Sequence, residues 1–466
     1  MDKKRPLSLF VLTMINVAAI CNIKNFPLSA LYGLSTVFFY GLAAIVYFIP
    51  ISLVSAELAT GWPKRGIYVW VKEAFGDSMG FVAIWLQWIE NMIWYPTLLS
   101  FIAATIAYMF DPSLANNKIY ILTVILSSFW IVTFLNFLGM KISGLISTIA
   151  ALFGTIIPGA LIIVLGFTWV MGGNPSQTPL DAGSFWPDLG SIHQLVIFAG
   201  ILLALSGMEM SSVHALEVED PKRGYPKAIF FSAILILVIS SLGALSVAIV
   251  VPQDQINLAS GSMAAFTIFF KNYGISWAVP IIAFVMAVGA LGMMSTWIVG
   301  PTKGIFASAL DGDLPPLFQK TNKKGMPVPL LVFQAIIVSA ISLVFYFMPD
   351  VSSSYWILVG LTVQLYLLMY ILMFAAAIRL RYKQPDVERA YRIPFKNVGM
   401  WCVAGTGILA STLVFFLGFV PPAHVKTGNI FYYEFFLVGG MVFFLVIPYV
   451  IFALKRDSWK QTEKSN

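Results

Sequence analysis

The segment Ser206-Gly207-Met208-Glu209-Met210-Ser211-Ser212 interrupts an apolar stretch that runs from Leu195 to Val213. It brings a glycine, three hydroxyls and a carboxylate to the middle of a membrane-length segment. An ionisable group at that depth costs roughly 2.5–3.5 kcal/mol on insertion scales, so such residues usually have a function. A second polar interruption, Cys21-Asn22-Ile23-Lys24-Asn25-Phe26-Pro27, lies near the N-terminus. Two interrupted spans at corresponding places in two halves of a chain predict the binding site of a secondary transporter.

The composition is that of a protein that crosses a membrane many times. Of the 466 residues, 59% are hydrophobic and only 11% are charged, a balance that soluble domains do not have. The net charge of +7 comes without an arginine-rich stretch or a base-stacking module, so we expect no nucleic-acid partner. Scattered cysteines and histidines predict no metal site, and the absence of a phosphate-binding loop or nucleophile elbow predicts no nucleotide, no cofactor and no enzyme. We therefore expect a single transmembrane domain embedded in the lipid bilayer.

Twelve apolar segments are long enough to cross a bilayer, for which an α-helix needs about 20 residues. Their predicted limits are 7–33, 34–58, 78–109, 119–138, 143–171, 191–214, 227–251, 275–302, 328–348, 355–378, 399–419 and 432–454. With the N-terminus inside, all but four of the 28 lysines and arginines fall on the cytoplasmic side. The exceptions are Lys118, Lys271 and Lys426, which fall outside, and Lys24, which falls within the first span. The positive-inside rule therefore predicts that both termini are cytoplasmic.

The interruption in the sixth span predicts a receptor for a zwitterion such as an α-amino acid. Gly207 permits backbone torsions that other residues avoid, so the helix can unwind there. Free amides at the start of the second half-helix attract a carboxylate, and free carbonyls at the end of the first attract an ammonium. The predicted lining residues are Ser206, Gly207, Met208, Glu209 and Met210. The alternative is a simple kink in which a neighbouring span satisfies Glu209.

The interruption in the first span supplies a cation. Lys24 is the only lysine or arginine buried within a predicted span, and it lies three residues before Pro27, which discourages a helix ahead of it. Cys21, Asn22 and Asn25 are the other predicted lining residues of this interruption. The ammonium can pair with an acidic residue of another span or with a carboxylate of the substrate. The alternative is a structural salt bridge that locks the two halves together.

The acidic residues of other spans have different predicted roles. Glu90 lies in the third span on a polar face with Gln87, Asn91 and Trp94. Glu90 and Glu209 are the two acids with which Lys24 can pair, and the three residues form a candidate proton or charge relay. Glu57 and Glu434 lie closer to span ends and are interpreted as interfacial.

Two further features leave alternatives open. Tyr366 and Tyr370 are four residues apart and share a helix face. They can close over a ligand, or they can be ordinary packing residues. Between spans seven and eight, the segment 256–273 contains a helix-like run that fits a packed loop helix and a moving outer lid equally well.

The chain resembles the amino acid–polyamine–organocation transporters, and among them the bacterial glutamate/γ-aminobutyrate antiporters. The resemblance covers nearly the whole chain and is strongest in 48–60, 206–226 and 295–301. It implies an all-α fold of two inverted five-helix repeats with broken helices 1 and 6, followed by two extra helices. The repeats would occupy about 7–171 and about 191–378, and the extra helices about 399–454.

The resemblance also implies roles for particular residues. Met208 and Glu209 match positions that contact substrate, Trp297 matches a tryptophan near the site, and Tyr366 and Tyr370 match a tyrosine pair. The chain departs from the antiporters in two places. Lys24-Asn25 precedes Phe26-Pro27 where they carry Tyr-Glu before Tyr-Pro, and Met293 stands where they have an acidic residue.

The sequence therefore predicts an amino-acid transporter of a bacterial inner membrane. The principal hypothesis is an antiporter that exchanges amino acids or their decarboxylation products by alternating access. A sodium- or proton-coupled symporter of the same fold is the first alternative, with hydroxyls of Ser295 and Thr296 available to sodium. A non-transporting membrane sensor of amino acids is the second. The oligomeric state is not predicted.

Overall fold

The computed structural model describes residues 8–63, 66–138, 152–188, 190, 192–210, 223–421 and 430–460. Within these ranges the chain is helical and contains no β-strand. Ser211 and Ser212 of the second interruption, the start of the predicted span 143–171 and the side chain of Thr296 lie outside the described part.

The helices before the second interruption are α1 (Leu9–Ile20), α2 (Phe26–Ala30), α3 (Thr36–Ala43), α4 (Ile49–Gly61), α5 (Ile67–Phe75), α6 (Asp77–Ala107), α7 (Lys118–Asn136), α8 (Ile157–Met171) and α9 (Ile192–Ala204). The helices after it are α10 (Gly224–Val250), α11 (Gly261–Asn272), α12 (Val279–Leu310), α13 (Val328–Ser342), α14 (Val344–Phe347), α15 (Val351–Lys383), α16 (Lys396–Leu417) and α17 (Ile430–Ala453).

Nine helical stretches of the described chain are long and apolar enough to cross a membrane, and they match nine of the twelve predicted spans. Predicted spans 7–33 and 191–214 fall short of that criterion because each is interrupted. Predicted span 78–109 forms the single 31-residue helix α6, whose buried Gln87, Glu90 and Asn91 lower its hydropathy. An all-helical protein with many apolar spans is confirmed, and the count of twelve stays a prediction.

Local sequence explains both interruptions. After α1, Cys21 and Asn22 are extended, with ψ of 118° and 121°, and the Asn22 side chain accepts a hydrogen bond from the Lys24 amide at 3.1 Å. Pro27, in the first turn of α2, restarts the helix because its fixed φ suits that position. After α9, Gly207 has a φ of +110°, which a residue with a side chain rarely adopts.

The two interruptions lie inside a bundle with a clear inner and outer part. Of the most apolar 18 residues of Val351–Lys383, 83% are buried, whereas the corresponding share for Tyr433–Ala453 is 11%. Helix α6 is also buried along almost its whole length. Helices α6 and α15 therefore form the interior that faces the interruptions, and α17 lies at the periphery.

Candidate substrate-binding site

The two interruptions lie side by side, joined by Trp297 of α12. The Trp297 indole donates a hydrogen bond to the Ala19 carbonyl near the end of α1, at 3.3 Å. A Cβ at Gly207 would lie 3.0 Å from the Trp297 ring and 3.7 Å from the Ile20 side chain. Only a glycine allows the second interruption to approach the first so closely.

Glu209 is buried, and both of its carboxylate oxygens are hydrogen-bonded. Tyr366 donates to Oε1 at 2.7 Å and Tyr370 donates to Oε2 at 2.5 Å. The Gln87 amide of α6 adds a third bond to Oε1, at 3.2 Å. The two tyrosine rings stack at 4.7 Å, which fixes both hydroxyls on the same carboxylate. Neighbouring spans thus satisfy Glu209, and Tyr366 and Tyr370 meet it as a pair.

The unwound backbone after α9 also finds side-chain partners. The Gly207 amide donates to the Tyr370 hydroxyl at 2.8 Å, so Tyr370 holds both the interruption and its carboxylate. Tyr47 and Ser206 share a hydrogen bond between their hydroxyls at 2.9 Å. Since unpaired backbone groups are tolerated within a membrane only beside protein or water, these contacts explain why the helix can open here.

Lys24 is enclosed by neutral groups. Its exposed fraction is 1%, and its ammonium donates to the Thr97 hydroxyl at 3.2 Å and the Tyr355 hydroxyl at 3.5 Å. The ammonium also lies 5.1 Å from the centre of the Trp94 ring and 5.4 Å from that of Tyr355. Within the described part of the chain it forms no ion pair, so the predicted pairing with Glu209 or Glu90 is wrong for this conformation.

The geometry of α15 gives the physical reason. Tyr355, beside Lys24, and Tyr366, beside Glu209, are eleven residues apart on one helix face. Eleven residues are about three turns and roughly 16 Å along the axis. Trp94 lies beside Lys24, and Trp297 lies beside Gly207. The centres of these two rings are 5.6 Å apart, so aromatic side chains fill the space between the two charges. The two charges therefore lie at opposite ends of an aromatic region.

The other predicted residues of the first interruption are also near the site. The Asn22 amide donates to the Met293 sulfur at 3.4 Å, so Met293 contacts this interruption directly. Cys21 is buried, and Asn25 is partly buried.

The remaining predicted residues follow the second interruption and α6. Met208 is buried, and the Met210 sulfur accepts a hydrogen bond from Gln87 at 3.4 Å. Glu90 is buried and accepts a hydrogen bond from the side chain of Asn91, its neighbour in the chain. Glu90 lies one helical turn from Gln87, and among the described contacts it forms no hydrogen bond or ion pair with Lys24, so the relay through all three charges stays a prediction.

Helix α11 covers the first interruption. The Ser262 hydroxyl donates to the Ile23 carbonyl at 2.9 Å. A Cβ at Gly261 would lie 2.9 Å from the Pro27 ring. The helix-like run predicted in 256–273 is therefore a helix that touches the site, which suits both a packed loop helix and a lid.

Sequence reasoning missed three residues of the site. Thr97 follows Trp94 by three positions and so extends the polar face of α6 that the sequence already indicated. Tyr355 shares its face with Tyr366, and that spacing was a usable signal. Tyr47 lies in a π-helical turn, Ala44–Phe48, within an otherwise apolar span, and no pattern distinguished it.

A bundle of apolar helices in which two interruptions lie side by side, one of them carrying a buried carboxylate, is typical of a membrane transporter. The chain belongs to the amino acid permease family, whose model matches residues 7–444, and it is therefore a transporter and not an enzyme. This assignment confirms the resemblance to the amino acid–polyamine–organocation transporters.

Individual relatives agree with the family. An uncharacterized transporter of Legionella pneumophila is 47% identical over 97% of this chain and 98% of its own length. A glutamate/gamma-aminobutyrate antiporter of Lactococcus lactis is 33% identical over 97% of this chain and 91% of its own length. A probable agmatine/putrescine antiporter of the same species is 24% identical over 84% of this chain and 83% of its own length.

Proposed function

We propose that the protein is an antiporter of a bacterial inner membrane that exchanges amino acids or their decarboxylation products by alternating access. Its termini are cytoplasmic, and its twelve spans form two inverted repeats, about 7–171 and 191–378, with extra helices at about 399–454. The observation that carries the proposal is the buried Glu209 carboxylate beside an unwound segment that adjoins the end of α1. The identity to a glutamate/gamma-aminobutyrate antiporter supports exchange as the mode of transport.

The site offers one group for each charge of an amino acid, although in this conformation the two groups lie about three turns of α15 apart and a single small amino acid does not bridge them. Glu209 and the carbonyls released by the second interruption attract an ammonium group. Among the described residues, Lys24 meets hydroxyl acceptors and aromatic faces and no carboxylate, so a substrate carboxylate would supply the missing counter-charge. Removing the charge of Glu209 or of Lys24 would therefore change which substrates are exchanged.

The proposed substrate-binding residues come from both interruptions and from the helices that face them. They are Cys21, Asn22, Lys24, Asn25, Ser206, Gly207, Met208, Glu209, Met210, Met293, Trp297, Tyr366 and Tyr370. A proton or charge relay would use Glu90, Glu209 and Lys24.

Counterflow in proteoliposomes tests the proposal. Vesicles loaded with one labelled amino acid are challenged with a panel that includes glutamate, γ-aminobutyrate, agmatine and putrescine. We expect release of label only when a substrate is present on the opposite side. Uptake that needs external sodium and no internal substrate would instead indicate a symporter, and saturable binding without flux would indicate a sensor. Exchange with no member of the panel would contradict the proposal.

Two variants test the charges separately. Glu209→Gln keeps the shape of the side chain but removes its charge, and we expect severe loss of all exchange with normal membrane insertion. Lys24→Met keeps the length of the side chain, and we expect a selective loss of exchange for carboxylate substrates. The selectivity ratio compares exchange of substrates that have a carboxylate with exchange of substrates that lack one. Loss of a charge-assisted hydrogen bond of about 1.5–3 kcal/mol should lower this ratio roughly ten- to a hundredfold. Lys271→Met, at an exposed lysine of α11, is the control that should retain the wild-type ratio.

A further inference from the structure

A large apolar groove lies between α6, α13 and α17 and shares no lining residue with the substrate-binding site. Its volume is about 560 Å³, within the roughly 300–1,000 Å³ usual for small-molecule sites. Phe333 and Phe443 form part of its wall and are 39% and 59% exposed, so the groove is open at the periphery of the bundle. In a membrane protein that periphery faces lipid.

The described residues of its wall present no polar atom to the groove. Trp85 and Trp88 both contribute to it, yet their indole N–H groups are already hydrogen-bonded within the protein. Trp85 donates to the Phe444 carbonyl and Trp88 to the Gln334 side chain, each at 2.9 Å. An ordered water needs two to four polar partners, so this groove is unsuited to water and suited to a hydrocarbon chain.

One end of the groove is closed by the segment that follows α17. Trp459 lines the groove, and its carbonyl accepts a hydrogen bond from Gln319 at 2.7 Å. The Lys455 ammonium lies 2.5 Å from the Asp313 carboxylate, so that lysine is neutralised and holds the segment against the end of α12.

The surroundings of this closed end carry excess positive charge. Arg456, Lys460 and Lys320 are exposed and form no ion pair within the described part of the chain. Asp457 is the one acid in the same turn as Arg456. Basic residues at the cytoplasmic surface attract anionic lipids, and the proposed topology puts this end in the cytoplasm.

We propose that the groove binds an acyl chain of an anionic glycerophospholipid whose phosphate lies against Arg456 and Lys460. The apolar wall accounts for the chain, and the exposed cations at the closed end, which form no ion pair with another described residue, account for the headgroup. The lipid would fill the space between α17 and the buried α6 and would hold the segment 455–460 in place. The binding of this lipid does not depend on which substrate is transported.

Photo-cross-linking tests the proposal on the full-length protein. Purified protein is placed in phosphatidylcholine vesicles with a trace of phosphatidylglycerol that carries a photoreactive acyl chain, and labelled peptides are mapped by mass spectrometry. We expect label on the groove-facing residues of α13 and α17, displaced by unlabelled phosphatidylglycerol and not by phosphatidylcholine. The double substitution Arg456→Gln with Lys460→Gln should weaken labelling about fivefold for each charge removed, equivalent to about 1 kcal/mol each.

A second variant changes the groove and leaves its charges in place. Ala340→Trp fills the groove from α13, and we expect it to abolish the specific label. Ala160→Trp places the same side chain on an exposed position of α8, away from the groove, and should leave the label unchanged. If Ala340→Trp fails to fold, the charge variant still decides, because it leaves the wall intact.

Three outcomes would overturn the proposal. Label spread evenly over the exposed faces of α8 and α16 would show that the groove has no preference for lipid. Equal labelling by phosphatidylcholine and phosphatidylglycerol probes would remove the role of Arg456 and Lys460. Cross-links between two copies of the protein through α13 and α17 would show that a second protomer fills the groove.

Discussion

Gly207 allows the second interruption because it lacks a side chain in a confined place. Its φ of +110° and the Trp297 ring, 3.0 Å from where a Cβ would be, both exclude other residues. A non-glycine residue in such a backbone conformation costs on the order of 1–3 kcal/mol before any steric clash. The strain would act on the segment that carries Glu209 and is bonded to Tyr370.

We therefore expect Gly207→Ala to lower exchange by at least about tenfold, the equivalent of roughly 1.4 kcal/mol, and to lower the midpoint of thermal unfolding. Gly41→Ala is the matched control, because Gly41 is in α3 and a Cβ there has no atom within 4 Å. Counterflow and unfolding of the purified protein measure both effects. Wild-type exchange by Gly207→Ala would show that the backbone conformation has no role in transport.

The tyrosine pair permits a comparison of two nearly identical substitutions. Tyr366 makes one hydrogen bond at the site, to Glu209, whereas Tyr370 bonds Glu209 and also accepts from the Gly207 amide. Tyr370→Phe leaves an extra buried donor unpaired, at a cost of about 1–3 kcal/mol. We expect Tyr370→Phe to reduce exchange more than Tyr366→Phe, by roughly tenfold or more, in counterflow with equal amounts of inserted protein. The reverse order would contradict the assigned contacts.

Chemistry at single positions was partly predictable. Glu209 and Lys24 could be identified from the sequence because a charge within an apolar span is costly and is seldom kept without a function. Both side chains are buried in the structure. Their partners were harder to predict. The pairing of Lys24 with an acid looked favourable from charge alone, but the three turns of α15 between Tyr355 and Tyr366 keep the charges apart.

Helices α4 and α15 are joined by a buried ion pair, so Glu57, which the sequence places near a span end, is enclosed by protein and is not exposed. Glu57 is 1% exposed, and its carboxylate accepts two bonds from Arg381, at 2.5 and 2.6 Å. Arg389 lies 3.5 Å from the same carboxylate, and the Ile393 amide donates to it at 2.8 Å. The chain after α15 folds back over the end of α4, which buries a position that the span limits alone put near water.

We expect Glu57→Gln to destabilise the protein by about 3–5 kcal/mol, since it leaves the buried arginine charges without a counter-charge. The midpoint of thermal unfolding in detergent measures the loss. Glu434→Gln, at an exposed glutamate of α17, should leave the midpoint unchanged. The double variant Glu57→Gln with Arg381→Gln should be less destabilised than the sum of the two single variants, and simple additivity would argue against a coupled pair.

A second junction joins α5 to the end of α12. The Tyr68 hydroxyl donates to Asp311 and Asp313, each at 3.0 Å. Burial, followed by the charges of Asp313 and Asp311, raises the pKa of Tyr68 well above its usual value. The phenol therefore keeps its proton at physiological pH, and its single O–H is shared between the two carboxylates. No pattern of α5 predicted this contact, because amphipathic spacing indicates which face is buried and not which partner it meets.

Hydropathy and charge predicted much of the overall organisation. The apolar segments gave the helices, because a membrane span must satisfy its own backbone hydrogen bonds. The three predicted spans 7–33, 78–109 and 191–214 do not reach the length and hydropathy of the other nine as helices, because they carry polar residues to the interior. Polar residues that form a site lower the hydropathy of the span that carries them, so that span is harder to recognise. Whether the spans form two inverted repeats depends on long-range packing, which a local sequence pattern does not reveal.

The topology of the whole molecule can be tested with two exposed lysines. Lys271, on α11, and Lys320, after α12, should lie on opposite sides of the membrane if the positive-inside rule holds. Cys21 is buried, so a Cys402→Ser background removes the one exposed native thiol among the described residues. With a membrane-impermeant maleimide, Lys271→Cys should react in intact cells, and Lys320→Cys should react only after permeabilisation. Reaction of Lys320→Cys in intact cells would show that the topology is the reverse of the predicted one. Arg456 and Lys460 would then lie outside, away from the anionic cytoplasmic surface on which the proposed lipid site depends.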